Sequence, residues 1–415
     1  MRNVSWLSGF AIAAGLALLP ESGIVARQQP PAERWSTAWG TSQQGLGTDA
    51  VTNTTVRMMA RVTIAGHAVR IRLDNTFGTD PLVVGRAFVG QRIQGAALAL
   101  GSNRQLSFSS SPRVVVPPGG TVTSDPVRME VLAQQDLAVS LYVPEANVRP
   151  SQHGGARVTS YVAADGSGDV AAAEAATPFT GTTRSMWWLK AIDISSSSST
   201  GSIVAFGDSI TDGTCATVDA HDRWEDLVAV RLALDAANRG TPDAHKAVIN
   251  EGIGGNTVTR ERLEPPPNSP PGMERLERDV LSHHGVTHVV LFMGTNDIRR
   301  GAGAAQVIAG MQDIAARVKA RGLTIVGVTI IPRHNRPAVE NNSGWNTAKT
   351  RTRGEVNQWI RTKAPFDAVI DFDRVVRDPE NADLLHPPFN CGDGIHPSPL
   401  GYYEMGRSVP LELLR

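Results

Sequence analysis

The chain has no excess of charge. Its 415 residues include 40 basic and 40 acidic side chains, a formal net charge of zero, whereas proteins that bind nucleic acid or another polyanion ordinarily carry a basic surplus. Neutral substrates fit this composition better, and no nucleic-acid partner is expected. Cysteine is nearly missing: there are two, Cys215 and Cys391, so at most one disulfide can form within the chain. Long apolar runs are lacking beyond the first residues, which leaves no later segment able to span a bilayer. Internal repeats and long low-complexity tracts are also lacking. A chain of this length exceeds one ordinary core, so two domains are expected.

What is present begins with Arg2, an apolar stretch from Trp6 to Leu19, then Pro20 and small residues leading to Ala26. This is the layout of a cleaved export signal over residues 1–26. The apolar stretch is shorter than the roughly 20 residues a membrane-spanning helix needs. No cysteine lies near the cleavage region to carry a lipid. The expected product is therefore exported, to the periplasm or the medium, without stable membrane insertion.

Ser195 to Ser199, followed by Thr200 and Gly201, reads as a linker over residues 195–200 between unlike halves. In residues 31–194, segments such as Val69 to Leu73 and Leu137 to Val143 alternate apolar with polar or small residues. Turn clusters such as Asp74-Asn75 and Pro117 to Gly120 separate them. That pattern predicts an all-β sandwich of jelly-roll type. In residues 201–415, strand candidates at Ile203–Phe206, Ala247–Asn250, Thr287–Met293, Thr324–Ile331 and Ala368–Asp371 alternate with helical faces. One face holds Trp224, Leu227, Val228 and Leu232, another Val307, Ile308, Met311, Ile314, Ala315 and Val318. Strand–helix alternation without hairpin signals predicts a parallel five-stranded sheet covered on both faces, an α/β domain.

Ligand sites of such sheets lie beyond the carboxyl ends of the strands. Gly207-Asp208-Ser209-Ile210 follows the first strand, Gly252 to Thr257 the second, and Gly294-Thr295-Asn296-Asp297 the third. A serine hydroxyl in that position is a candidate nucleophile if a base and oxyanion donors accompany it. His396, in Asp393-Gly394-Ile395-His396-Pro397, is the preferred base, because a neutral imidazole can take and return a proton. Asp393 is placed to orient it. Ser398 is expected to cap the following helix and Pro399 to open it. The backbone amides of Ser209 and Gly255 and the side-chain amide of Asn296 are the candidate oxyanion donors. Because exported cysteines are ordinarily oxidised, a Cys215–Cys391 disulfide is expected to tie the loop after Ser209 to the loop before Asp393, with two buried thiols as the alternative.

These four ordered blocks resemble the SGNH hydrolases, or GDSL-type esterases, with Ile210 in the place of the usual leucine. The resemblance covers residues 201–415. It implies a flavodoxin-like three-layer α/β/α fold and metal-independent ester hydrolysis without a cofactor. It also implies Ser209, Asp393 and His396 as the triad, with the oxyanion hole at Ser209, Gly255 and Asn296.

Other features carry less chemistry. Asp208, Asp212, Asp297 and His221 match no familiar metal-ligand spacing, and Asp208 and Asp297 are expected to order loops. His283, His284 and His288 are read as surface or capping residues, and a place for His334 at the pocket border, after the fourth strand, is kept only as the less favoured alternative. The five-proline segment Glu264–Gly272 is read as a stiff rim near the site. Trp35, Trp39, Trp187 and Trp188 are assigned to packing rather than to sugar stacking. The sequence thus predicts a serine esterase for short acyl esters. Carbohydrate deacetylation, lipase or lysophospholipase activity, and glycan binding with an inactive hydrolase half are the alternatives, and the oligomeric state is left open.

Overall fold

The computed structural model describes residues 1–3, 9, 34–333 and 345–415. The expected export signal falls almost wholly outside the described residues, as does His334. Among the described residues no helix is long and apolar enough to cross a membrane.

From Trp35 to Ser195 every strand pairing is antiparallel. One sheet runs β1 (Trp35–Gly40), β6 (Leu189–Ser195), β3 (Gly66–Asp74), with short strands Thr121–Thr123 and Val127–Val131 also pairing with β3. The other is centred on β2 (Thr54–Arg61), β5 (Asp136–Val143) and β4 (Arg86–Gln94). Val69, Ile71 and Leu73 of β3, Val56 and Met58 of β2, and Leu137, Val139 and Leu141 of β5 share one buried apolar cluster with Trp187 and Trp188. The alternation read at β3 is therefore its division between core and opposite face, whereas β5 is buried on both faces from Leu137 to Leu141. Trp39 packs against the same cluster, and Trp35 lies under the Arg70 guanidinium, 4.4 Å from ring centroid to Cζ. All four tryptophans are used in packing.

Ser195 closes β6, and Ser202 opens the next strand. Between them Ser196 and Ser199 are buried, and the Ser199 amide donates to Ser196 Oγ at 3.2 Å. Ser197, Ser198 and Thr200 of the same run are exposed.

The remaining strands are all parallel: β7 (Ser202–Gly207), β8 (Ala247–Gly252), β9 (Val286–Phe292), β10 (Thr324–Val328) and β11 (Ala368–Ile370), in spatial order β8-β7-β9-β10-β11. Successive residues leave a strand on opposite faces. Ile203 and Ala205 of β7 join Trp224, Val228 and Leu232 of α1 (Trp224–Asn238). Val204 and Phe206 join Val307, Met311, Ile314 and Val318 of α2 (Ala304–Ala320) and Val356 of α3 (Thr347–Thr362). Full burial of each such large apolar side chain contributes about 1.5–3 kcal/mol, which explains why these runs become central strands. The chain order reverses between β7 and β9, and that switch point opens a crevice at their carboxyl ends.

Both regions lie within one compact unit, Glu33–Arg415, joined by buried polar contacts. Arg72 of β3, on the polar side of its strand, donates to the Ser282 carbonyl at 3.0 Å and pairs with Asp193 at 3.3 Å. Lys190 reaches Asp279 at 3.4 Å. Two of the histidines expected at the surface are here instead. His283 is buried against Glu251, 2.6 Å away, and Arg72, and His288 is buried beside Lys246 at 3.2 Å. Each has a polar partner that makes burial tolerable; His284 does keep an exposed side chain.

Candidate active site

β7 ends at Gly207, where any side chain would meet Thr211 Oγ1 at 2.0 Å. The absence of a Cβ lets the chain turn tightly into the short helix Ser209–Asp212. Asp208 caps that helix, accepting from the Ile210 amide at 3.0 Å. Ser209 is thereby held at the strand's carboxyl end, and its Oγ lies 2.8 Å from His396 Nε2. The far nitrogen, Nδ1, is 2.5 Å from Asp393 Oδ2. Asp393 Oδ1 accepts the amides of Ile395 at 2.8 Å and His396 at 2.9 Å. Burial alone would raise the Asp393 pKa. The hydrogen bond and charge of His396, with those amides, outweigh it and hold the carboxyl at about 2. A permanently ionised carboxylate on Nδ1 leaves Nε2 to accept the serine proton. The expected cap is formed: Ser398 Oγ accepts from the Gly401 amide at 3.2 Å, and Pro399 opens α4 (Pro399–Ser408).

The other two loops converge on the same crevice. Gly255 has a φ of +73°, a conformation glycine adopts without strain. Asn296, on the short helix Thr295–Arg299, donates Nδ2 to the Asn256 carbonyl at 3.0 Å, which leaves its second N–H for another acceptor. Asp297 accepts the Val258 and Thr259 amides at 2.9 to 3.1 Å, so it clamps the glycine loop to the third strand's loop. Ser209, Gly255, Asn296 and His396 line one pocket of about 240 Å³, together with Arg299 and Arg333.

Cys215 and Cys391 form a disulfide with Cα atoms 6.3 Å apart. Tyr402 of α4 adds a second tie to the loop after Ser209, donating from its hydroxyl to the Thr214 carbonyl at 2.7 Å. Glu264–Gly272 meets the glycine loop, since Asn256 Nδ2 donates to Ser269 Oγ and to the Pro270 carbonyl at 2.8 Å.

Three supporting residues carry no signal in the sequence. Arg275, fully buried, stacks on Phe206 and donates to the Gly207 carbonyl at 2.9 Å, to Asn256 Oδ1 at 3.0 Å and to Ser42 Oγ at 2.7 Å. One guanidinium thus fixes the serine loop, the glycine loop and the β-region. His153, also of the β-region, pairs with Asp212 at 2.9 Å, at the end of the serine helix. Arg333 is buried in the pocket wall. In the sequence all three look like ordinary solvated charges.

Asp208 and Asp297 are raised to about 6 and about 7, chiefly because burial disfavours their charged forms. Their folded pKa values exceed the unfolded one, so their contribution to stability is complete below about pH 4 and is lost as pH rises through 6 and 7. Thermal unfolding between pH 5 and 8 should show stability from these groups falling as pH rises. Asp297→Asn should flatten that slope; an equal slope in the variant contradicts the assignment.

Residues 205–403 match the GDSL-like Lipase/Acylhydrolase family. Similar solved structures include a candidate arylesterase from Agrobacterium tumefaciens, 23% identical over 52% of this chain and 99% of that one, with a TM-score of 0.39. Another is a carbohydrate acetylesterase from Sinorhizobium meliloti, 19% identical over 49% and 94%, with a TM-score of 0.38. A third is a GDSL-like lipase from Bacteroides thetaiotaomicron, 20% identical over 51% and 86%, with a TM-score of 0.36. No curated protein matches the chain. Just under half of the chain carries the GDSL/SGNH-type hydrolase fold, and its paired Ser209 and His396 form the active site of a serine carboxylic ester hydrolase.

Proposed function

We propose that the protein hydrolyses short acyl esters through an acyl-enzyme on Ser209. His396 takes the Ser209 proton as Oγ attacks the ester carbonyl and returns it to the departing alcohol. His396 then activates the water that releases the acid. Asp393 orients the imidazole, and the amides of Ser209 and Gly255 with the Asn296 side chain receive the oxyanion. The observation that carries the reading is the unbroken relay from Asp393 Oδ2 to His396 to Ser209 Oγ.

The preference for short acyl groups rests on the pocket of about 240 Å³, smaller than pockets that hold drug-sized molecules. A series of 4-nitrophenyl esters is expected to give its highest kcat/KM at two to four acyl carbons, with at least a tenfold loss by twelve. A rising series contradicts this preference, and faster release of acetate from acetylated xylan oligosaccharides than from simple acetates moves the assignment to carbohydrate deacetylation. The disulfide suits an oxidising compartment, in keeping with export after removal of residues 1–26. We assign residues 31–194 to a jelly-roll-like sandwich whose task is support of the site, and residues 201–415 to catalysis.

A further inference from the structure

The pocket wall carries more positive charge than ester hydrolysis requires. Asn296 and Arg299 stand three residues apart on one helical turn, so they share a face, and both line the pocket. Arg333 lines it from beyond β10, its Nη1 3.5 Å from Thr295 Oγ1 and its Cζ 5.2 Å from the centre of the Trp345 ring. Lys349 packs behind them, donating from Nζ to the Arg299 carbonyl at 2.7 Å. Asp393 holds His396 and Asp208 the Ile210 amide, and both carboxylates also act on Arg333 from nearby. Among the described residues the Arg299 side chain is half-buried and makes no ion pair. Burial first, then the charge of Arg299, lowers the Arg333 guanidinium to about 10. The same two arginines, after burial, lower Lys349. These cations feel one another, and among the described residues of the pocket wall no carboxylate neutralises Arg299.

A half-buried cation without a counterion gains most from an anion that arrives with the ligand, because charge-assisted hydrogen bonds strengthen as water is excluded. We infer that the preferred substrate is an ester bearing a second, anionic group such as a carboxylate, which Arg299 and Arg333 bind while Ser209 attacks the ester carbonyl. This inference rests on the esterase reading and narrows its substrate class. The anion can sit on the acyl part or on the departing alcohol, and both place it in the same pocket.

Two matched pairs separate these sources. Mono-4-nitrophenyl glutarate against 4-nitrophenyl 5-methylhexanoate places the charge on the acyl side, and 4-acetoxybenzoate against 4-acetoxybenzamide places it on the alcohol. Background is taken from the Ser209→Ala protein. In the wild type, the ratio of kcat/KM for anionic over neutral ester should exceed one for at least one pair. For that pair it should fall about tenfold or more in Arg299→Gln, the loss expected for a charge-assisted contact. Should that variant fail to fold, the wild-type ratio should still decline as salt rises from about 10 to about 500 mM. Ratios below one in both pairs, or ratios unchanged by both the substitution and salt, overturn the inference and leave the esterase reading intact. No hydrolysis of any of the four esters overturns both.

Discussion

Replacing Ser209 by alanine is expected to lower kcat on a short acyl ester by about four orders of magnitude or more, close to the reaction left by binding and oxyanion donors alone. The fold should be unaffected. The hydroxyl bonds His396 Nε2, while the backbone of residue 209 keeps its own bonds, with its carbonyl accepting the Gly213 and Thr214 amides at 3.1 and 2.9 Å. Thermal unfolding within a degree or two of wild type, together with lost labelling by a fluorophosphonate at Ser209, completes the expected result. Activity within tenfold of wild type would remove Ser209 from the mechanism and the acyl-enzyme with it.

The second large effect should come from Asp393→Asn. The asparagine carbonyl can still accept the Ile395 and His396 amides, as Oδ1 does now. Its amide group then faces Nδ1 and must donate to it. The imidazole is forced to carry its proton on Nε2, where it can no longer accept the Ser209 proton. A loss of about 10³- to 10⁴-fold in kcat is expected, equivalent to about 4–5.5 kcal/mol of transition-state stabilisation. KM should change far less, because the substrate contacts of the pocket are untouched. A loss under tenfold, or one confined to KM, would show that Asp393 does not set the tautomer of His396.

The parts legible in the sequence were those set by local pattern. Apolar runs bounded by turn residues marked the parallel strands, because burial on both faces leaves a run and not an alternation. Ser398-Pro399 marked a helix start through capping chemistry alone. Thr324 to Ile331 read as one strand, yet β10 stops at Val328. Thr329 turns its hydroxyl to Asp371 at 2.9 Å, and Ile330 and Ile331 are buried in the apolar clusters on opposite sides of the sheet. Apolar character reports burial, and burial continues past the end of the ladder. Arg275, His153 and His283 were illegible for another reason. Each is a charged or titratable side chain with at least one partner far away in sequence, across the contact between the β-region and the α/β region. Arg72 shows the same limit from the other side: its place on the polar face of β3 was correct, but that face is covered by the second region rather than by water.

The Cys215–Cys391 bond encloses most of the chain between the serine and its base, its two ends lying at a sequence separation of 176. A single proteolytic cut anywhere in that interval would leave Ser209 covalently joined to His396 through sulfur, whereas the same cut after reduction would produce two separate fragments. The bond makes one nick a local injury instead of the division of the active site.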